Sequence, residues 1–156
     1  MTHLLDVKDK APAFTLPADG GRTVSLKDYA GQKLVIYFYP KDNTPGCTTE
    51  AIDFSAQMDA FSAANTAIVG VSADSVKKHD NFKAKHELSV TLLSDPEHEM
   101  LEAYGVWVEK SMYGRQYMGI ERATFLIDEK GKISNIWHKV RVKGHVDAVL
   151  EAAQNS

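Results

Sequence analysis

Two stretches of this chain are apolar almost without a break: KLVIYFYP at 33–40 and TAIVGVSAD at 66–74. A strand with one wet face alternates polar and apolar residues, whereas an unbroken run implies cover on both faces. The first run therefore reads as a buried central strand. Pro40 ends it, because proline cannot donate to a strand ladder. Between the two runs, Ala51, Phe54, Met58 and Phe61 recur at three- and four-residue steps, the stripe of one amphipathic helix.

The alternation continues. SVKKHDNFKAKHEL (75–88) places Val76, Phe82 and Leu88 among charges and reads as a surface helix; its lysines and acids form a solvated face. VTLLSD (90–95) is a third strand. PEHEMLEAYG (96–105) is a short helix with Pro96 near its start and Gly105 past its end. ATFLID, EKGK and ISNIWHKV (123–140) give strand, turn and strand, and HVDAVLEAAQ (145–154) is a closing helix. Ahead of the first run, FTLPADGGRTVSL (14–26) has two short alternating runs around Asp19-Gly20-Gly21, a β-hairpin signal. VWVEKSMYGRQYMGI (106–120) shows no clear period and reads as a loop between strand fragments. The expected class is α/β with a central mixed sheet flanked by helices. The final β-turn-β-α order resembles the end of a thioredoxin-like domain.

With 156 residues and no repeat or linker, the expectation is one domain, 1–156. A hydrophobic fraction of 44% is enough for a core without disulfide or metal staples. The net charge of -3 argues against nucleic acid or an anionic membrane as a partner. The opening MTHLLDVKDKAPAFTL lacks the apolar core of a signal peptide, and no run approaches the ~20 residues of a membrane span. A soluble, cytoplasmic protein is expected.

One cysteine, Cys47, stands in YPKDNTPGCTTEAIDF (39–54). Most free cysteines are small buried hydrophobes. Here the surroundings differ: Thr44 suits an N-cap and Pro45 a first helical position, so Cys47 falls in the first turn. Unpaired N–H groups and the helix dipole favour an anion there. A free thiol ionises near pH ~8.5, and making it a thiolate at pH ~6 takes roughly 3.4 kcal/mol. The dipole supplies at most ~2 kcal/mol. A cation is required as well, and arginine suits because it stays protonated.

Pro40-x-x-x-Thr44-x-x-Cys47 matches the active-site motif of peroxiredoxins, and the chain resembles their PrxQ, or bacterioferritin-comigratory, subgroup. KDKAPAFTLP, IVGVSAD, LLSDPEHEMLEAYGVW and GIERATFLIDEKGKI extend the likeness over most of its length. The resemblance implies a thioredoxin-like fold and a thiol-dependent peroxidase that reduces hydrogen peroxide and organic hydroperoxides without a cofactor. It implies that Cys47 attacks the peroxide, that Thr44 hydrogen-bonds it and that Pro40 shields the sulfur. Arg122 would be the required cation, approaching from a distant strand, and Glu50 would orient it. The bland alternatives are a cap for Thr44, a strand stop for Pro40 and a solvated surface arginine for Arg122.

Many PrxQ-like chains carry a second, resolving cysteine five residues after the first; here that residue is Ile52. The implied route is a one-cysteine cycle. Cys47 becomes a sulfenic acid and is regenerated by an external thiol, either thioredoxin or glutathione with glutaredoxin. Packed apolar, Ile52 would also hold its helix folded on oxidation. Relatives of this type imply a monomer or weak homodimer. Two rivals remain: a thiol-disulfide oxidoreductase, which should carry C-x-x-C, and a peroxide sensor that passes its oxidised cysteine to a partner. The six histidines (His3, His79, His86, His98, His138, His145) show no compact ligand spacing, so no metal is expected. The 111–119 segment is an ordinary surface loop or a mobile contact for a thiol partner.

Overall fold

The computed structural model describes residues 5–156, so His3 and the start of the amino-terminal stretch lie outside it. The elements run β1 (Thr15–Pro17), β2 (Thr23–Ser25), β3 (Lys33–Phe38), α1 (Pro45–Ala56), α2 (Met58–Ala63), β4 (Thr66–Ser72) and α3 (Val76–His86). They continue with β5 (Thr91–Ser94), α4 (Glu99–Ala103), β6 (Trp107–Met112), β7 (Arg115–Ile120), β8 (Ala123–Ile127), β9 (Ile133–Trp137) and α5 (His145–Gln154).

The two unbroken apolar runs become β3 and β4, at the middle of a five-stranded sheet ordered β5-β4-β3-β8-β9. β3 pairs parallel with β4 and antiparallel with β8, so the sheet is mixed as expected. Every residue of β3 is buried. Side chains alternate across a strand, and Leu34, Ile36 and Phe38 enter one core while Val35, Tyr37 and Tyr39 enter the other. The first core is closed by Phe14, Val24, Leu101 and Tyr104. The second is closed by helices, through Phe54 and Phe61 on α1 and α2, Phe82 on α3 and Val149 on α5. Tyr37 stacks on Phe54 with ring centroids 4.6 Å apart. Gly70 on β4 allows this layer, because a Cβ there would lie 2.6 Å from the Tyr37 ring. Lys33, buried at the start of β3, donates to the Ala153 carbonyl at 2.6 Å and so ties the end of α5 to the central strand.

The structure departs from the sequence reading in three places. The stripe from Ala51 to Phe61 is two helices, with the break at Gln57 (φ -100, ψ 10). The helix expected to start near Pro96 and to end before Gly105 is the shorter α4, with His98 at its cap in the left-handed region. The segment read as a loop is a regular six-pair antiparallel hairpin, β6–β7, turned at Tyr113 and Gly114, both with positive φ. Most of β7 is exposed, so no apolar alternation marked the hairpin. The amino-terminal hairpin forms as expected, with Leu16 opposite Val24.

Candidate active site

Cys47 lies in the first turn of α1, behind Pro45 at the helix start. Thr44 has the extended backbone of an N-cap (φ -83, ψ 153), yet its side chain caps nothing. Its hydroxyl donates instead to the Lys41 carbonyl at 2.9 Å. The helix start therefore faces Cys47 without a side-chain cap on its N–H groups. The sulfur itself belongs to the second core, and Cys47 is 1% exposed.

The distant arginine arrives by strand register. Ala123 of β8 sits opposite Phe38 at the end of β3, so Arg122 emerges beside the loop that leads to Cys47. Its carbonyl accepts from the Val140 N–H at 2.9 Å, which fixes its backbone. Nη2 donates to Cys47 Sγ at 3.2 Å, and Nη1 donates to Glu50 Oε1 at 2.6 Å. Glu50, one helical turn after Cys47, shares its face of α1. One planar guanidinium thus spans sulfur and carboxylate, a geometry lysine cannot copy.

Glu50 is fully buried, and its Oε2 has no partner among the described residues. Burial pushes its carboxyl up to about 7, and Asp53 adds to the rise; the charge and hydrogen bond of Arg122 pull the other way. For Arg122, burial opposes the charge, but Glu50 and Cys47 outweigh it and hold the guanidinium protonated.

Three neighbours escaped the sequence reading. At Gly46 a Cβ would lie 3.2 Å from Arg122 Nη2, so the guanidinium reaches the sulfur across a missing side chain. Lys110, on β6, is a second cation near the site: burial and the Arg122 charge lower its pKa, against Glu121 and Cys47. His145 lies 2.8 Å from the Thr124 hydroxyl, and burial with the Arg122 charge pushes it down to about 4, so it is neutral. Nothing in their sequence spacing marks these roles.

Thr44 and Pro40 stand on the wall of a groove of ≈860 Å³ that runs to the β6–β7 hairpin, where Trp107, Met112 and Met118 face them. Cys47, Glu50 and Arg122 are in contact; the Thr44 hydroxyl points to the Lys41 carbonyl, and Pro40 is exposed. Ile52 is 42% exposed, so the expectation that it packs apolar and thereby holds α1 folded is corrected. It faces outward from a helix whose buried side is Cys47, Glu50, Ala51 and Phe54.

The model of the AhpC/TSA family matches residues 7–136. Peroxiredoxin Bcp of Bacillus subtilis is 49% identical over 151 residues, covering 97% of this chain and 96% of that protein. Peroxiredoxin Bcp of Xanthomonas campestris is 51% identical over 144 residues, covering 91% and 90%. A solved structure of the Xanthomonas campestris bacterioferritin comigratory protein, described for its alkyl peroxide reduction activity, superposes with a TM-score of 0.87 at 49% identity, covering 91% of this chain and 90% of that one. The thioredoxin-like sheet, the cysteine at a helix start and these matches agree: the chain belongs to the AhpC/TSA family and is a peroxiredoxin of the Bcp/PrxQ kind, an oxidoreductase with thiol peroxidase chemistry.

Proposed function

We propose that this peroxiredoxin reduces hydrogen peroxide and organic hydroperoxides by a one-cysteine cycle in which Cys47 is the nucleophile. The observation that carries the reading is the 3.2 Å contact from Arg122 Nη2 to the sulfur of the chain's single cysteine. The guanidinium stabilises the thiolate, and Glu50 orients the guanidinium through Nη1. The sulfur attacks the terminal oxygen of ROOH, the O–O bond breaks, and RO⁻ leaves to take a proton from solvent. Cys47 becomes a sulfenic acid. The leaving oxygen gains negative charge, and Arg122 together with the uncapped helix start supplies donors for it. In this reading Thr44 turns its hydroxyl from Lys41 to the bound peroxide, and Pro40 screens the sulfur from water.

A chain with one cysteine forms no internal disulfide. A thiolate R′S⁻ therefore attacks the sulfenic sulfur, hydroxide leaves, and a second thiol releases Cys47 by exchange. Thioredoxin, or glutathione with glutaredoxin, fits that role, and a reducing cytoplasmic setting suits it. The apolar groove supports hydroperoxides with a hydrocarbon arm, in line with the alkyl peroxide activity named for the Xanthomonas relative.

The test is peroxide consumption by wild type, Cys47→Ser and Arg122→Ala with each reducing system and with dithiothreitol. Steady turnover lost in Cys47→Ser supports the reading. Oxidation of Cys47 without turnover under every reductant would make the chain a sensor. Mass spectrometry after peroxide alone should find a monomeric sulfenic or over-oxidised species; abundant Cys47–Cys47 dimer would sink the external-thiol route.

A further inference from the structure

Helix α3 buries one histidine completely. His79 is 0% exposed, and both of its ring nitrogens face acceptors. Nδ1 lies 2.7 Å from Asp42 Oδ2, and Nε2 lies 2.8 Å from the Leu93 carbonyl oxygen on β5. Against an ionised Asp42, a neutral imidazole with its single N–H would leave one of these contacts without a proton. A second proton on the ring satisfies both, as an imidazolium against a carboxylate.

Asp42 is the centre of the network. Its Oδ1 accepts from the Tyr39 hydroxyl at 2.6 Å, and its backbone N–H donates to Asp74 Oδ2 at 2.7 Å. Asp74 Oδ2 also accepts from the Ser72 hydroxyl at 2.8 Å. Asp42, Asp74 and His79 bring ligand-type atoms within 4.8 Å of one another, but proton-sharing partners already occupy both Asp42 oxygens and both His79 nitrogens. The groups facing His79 are Asp42 and Tyr39 from the β3–α1 loop and Asp74 from the turn after β4; on α3 its sequence neighbours Lys78 and Asp80 are exposed.

The loop between Tyr39 and the start of α1 has one buried side chain, Asp42, with Pro40 two residues before it and Thr44 two residues after. Pro40 and Thr44 line the groove, and the loop leads directly into the helix turn that carries Cys47. We propose that the His79–Asp42 ion pair is a positioning element of the peroxide site: it pins the loop that presents Pro40 and Thr44, and it does so only with the extra proton in place. This rests on the peroxidase reading above. Burial alone would favour the neutral ring, but the hydrogen bond and charge of Asp42, the Leu93 carbonyl and the Asp74 charge reverse this and raise the His79 pKa.

The network supplies its own control. In Asp42→Asn, the amide N–H can donate to a neutral His79 Nδ1 while its oxygen accepts from Tyr39, and Nε2–H still donates to Leu93. Every bond survives without the extra proton.

The experiment uses the full chain. Imidazole nitrogen NMR reports the proton count of His79, and stopped-flow oxidation of Cys47 by hydrogen peroxide is followed from pH 6 to 9.5 in wild type, Asp42→Asn and His79→Gln. Wild type should show both His79 nitrogens protonated at pH 7. Its rate relative to Asp42→Asn should fall about 10-fold as the ring loses its proton, the scale of a displaced positioning group. His79→Gln, if it folds, should be slower with peroxide while alkylation of Cys47 by iodoacetamide stays within about 2-fold of wild type, because alkylation uses the same sulfur but needs no peroxide held by Thr44 and Pro40. A bare ring nitrogen at pH 7, superimposable pH profiles for wild type and Asp42→Asn, or zinc binding that His79→Gln abolishes would each overturn the proposal. If wild type fails to react with peroxide, the peroxidase reading falls, while the NMR result still decides the state of the pair.

Discussion

Among the described residues, two buried ion pairs are built to opposite specifications. In the Arg122–Glu50 pair the carboxylate keeps one oxygen without a partner among the described residues, and the guanidinium divides itself between carboxylate and sulfur. In the His79–Asp42 pair both carboxylate oxygens and both ring nitrogens are engaged. Leaving a buried charge incompletely paired is costly, so the first pair stores a tension that the second lacks. A pair with spare capacity can respond to charge appearing on a neighbour. A pair with none holds backbone in place.

The largest expected effect breaks the first pair. Arg122→Ala should slow oxidation of Cys47 by peroxide about 10²–10³-fold, the usual loss for a donor aimed at developing charge. Arg122→Lys should recover little of it, since an ammonium cannot span both partners; full recovery would show that the fork geometry is unnecessary.

Stability against pH separates the two pairs next. Glu50 is a carboxyl whose folded pKa lies above its ordinary 4.5, at about 7. Its ionisation in the folded state is disfavoured, so stability falls as pH rises between those values, by roughly 3 kcal/mol at most. His79 is a base whose folded pKa is raised above 6.5. Its contribution is complete below 6.5 and is lost as pH rises through the folded value. Urea titrations from pH 4.5 to 9.5 should show Glu50→Gln flattening the lower window and Asp42→Asn the upper one. If either variant flattens the other's window, the assignment of the two slopes is wrong.

Smaller still, Gly46→Ala should push the guanidinium from the sulfur and slow peroxide oxidation about 10-fold without a large change in melting temperature. A change below about 2-fold would mean that Arg122 has slack. The smallest effect belongs to Ile52→Ser, which should alter stability by no more than about 0.5 kcal/mol because the side chain faces solvent.

Much of this was legible in the residues. Unbroken apolar runs marked β3 as a central strand and β4 as a second buried one; the helix-start cysteine called for a cation, and the peroxiredoxin resemblance assigned that role to Arg122. Legibility failed where the information lies across space. Gly46 matters because of a side chain 76 residues away, through a contact no local pattern encodes. His79 sits among lysines and acids that read as a solvated face, yet packing turns it inward onto Asp42. The β6–β7 hairpin was missed because most of β7 is exposed and lacks the apolar alternation that betrays a strand.

A sulfur on a residue only 1% exposed greets its two visitors on unequal terms. In the proposed cycle a hydroperoxide is small enough to reach it, whereas a folded reductase is blunt. The restoring half of the cycle therefore carries a steric toll that the oxidising half escapes. Either a slender thiol makes the first visit, or the opening turn of α1 must part to let a larger one through.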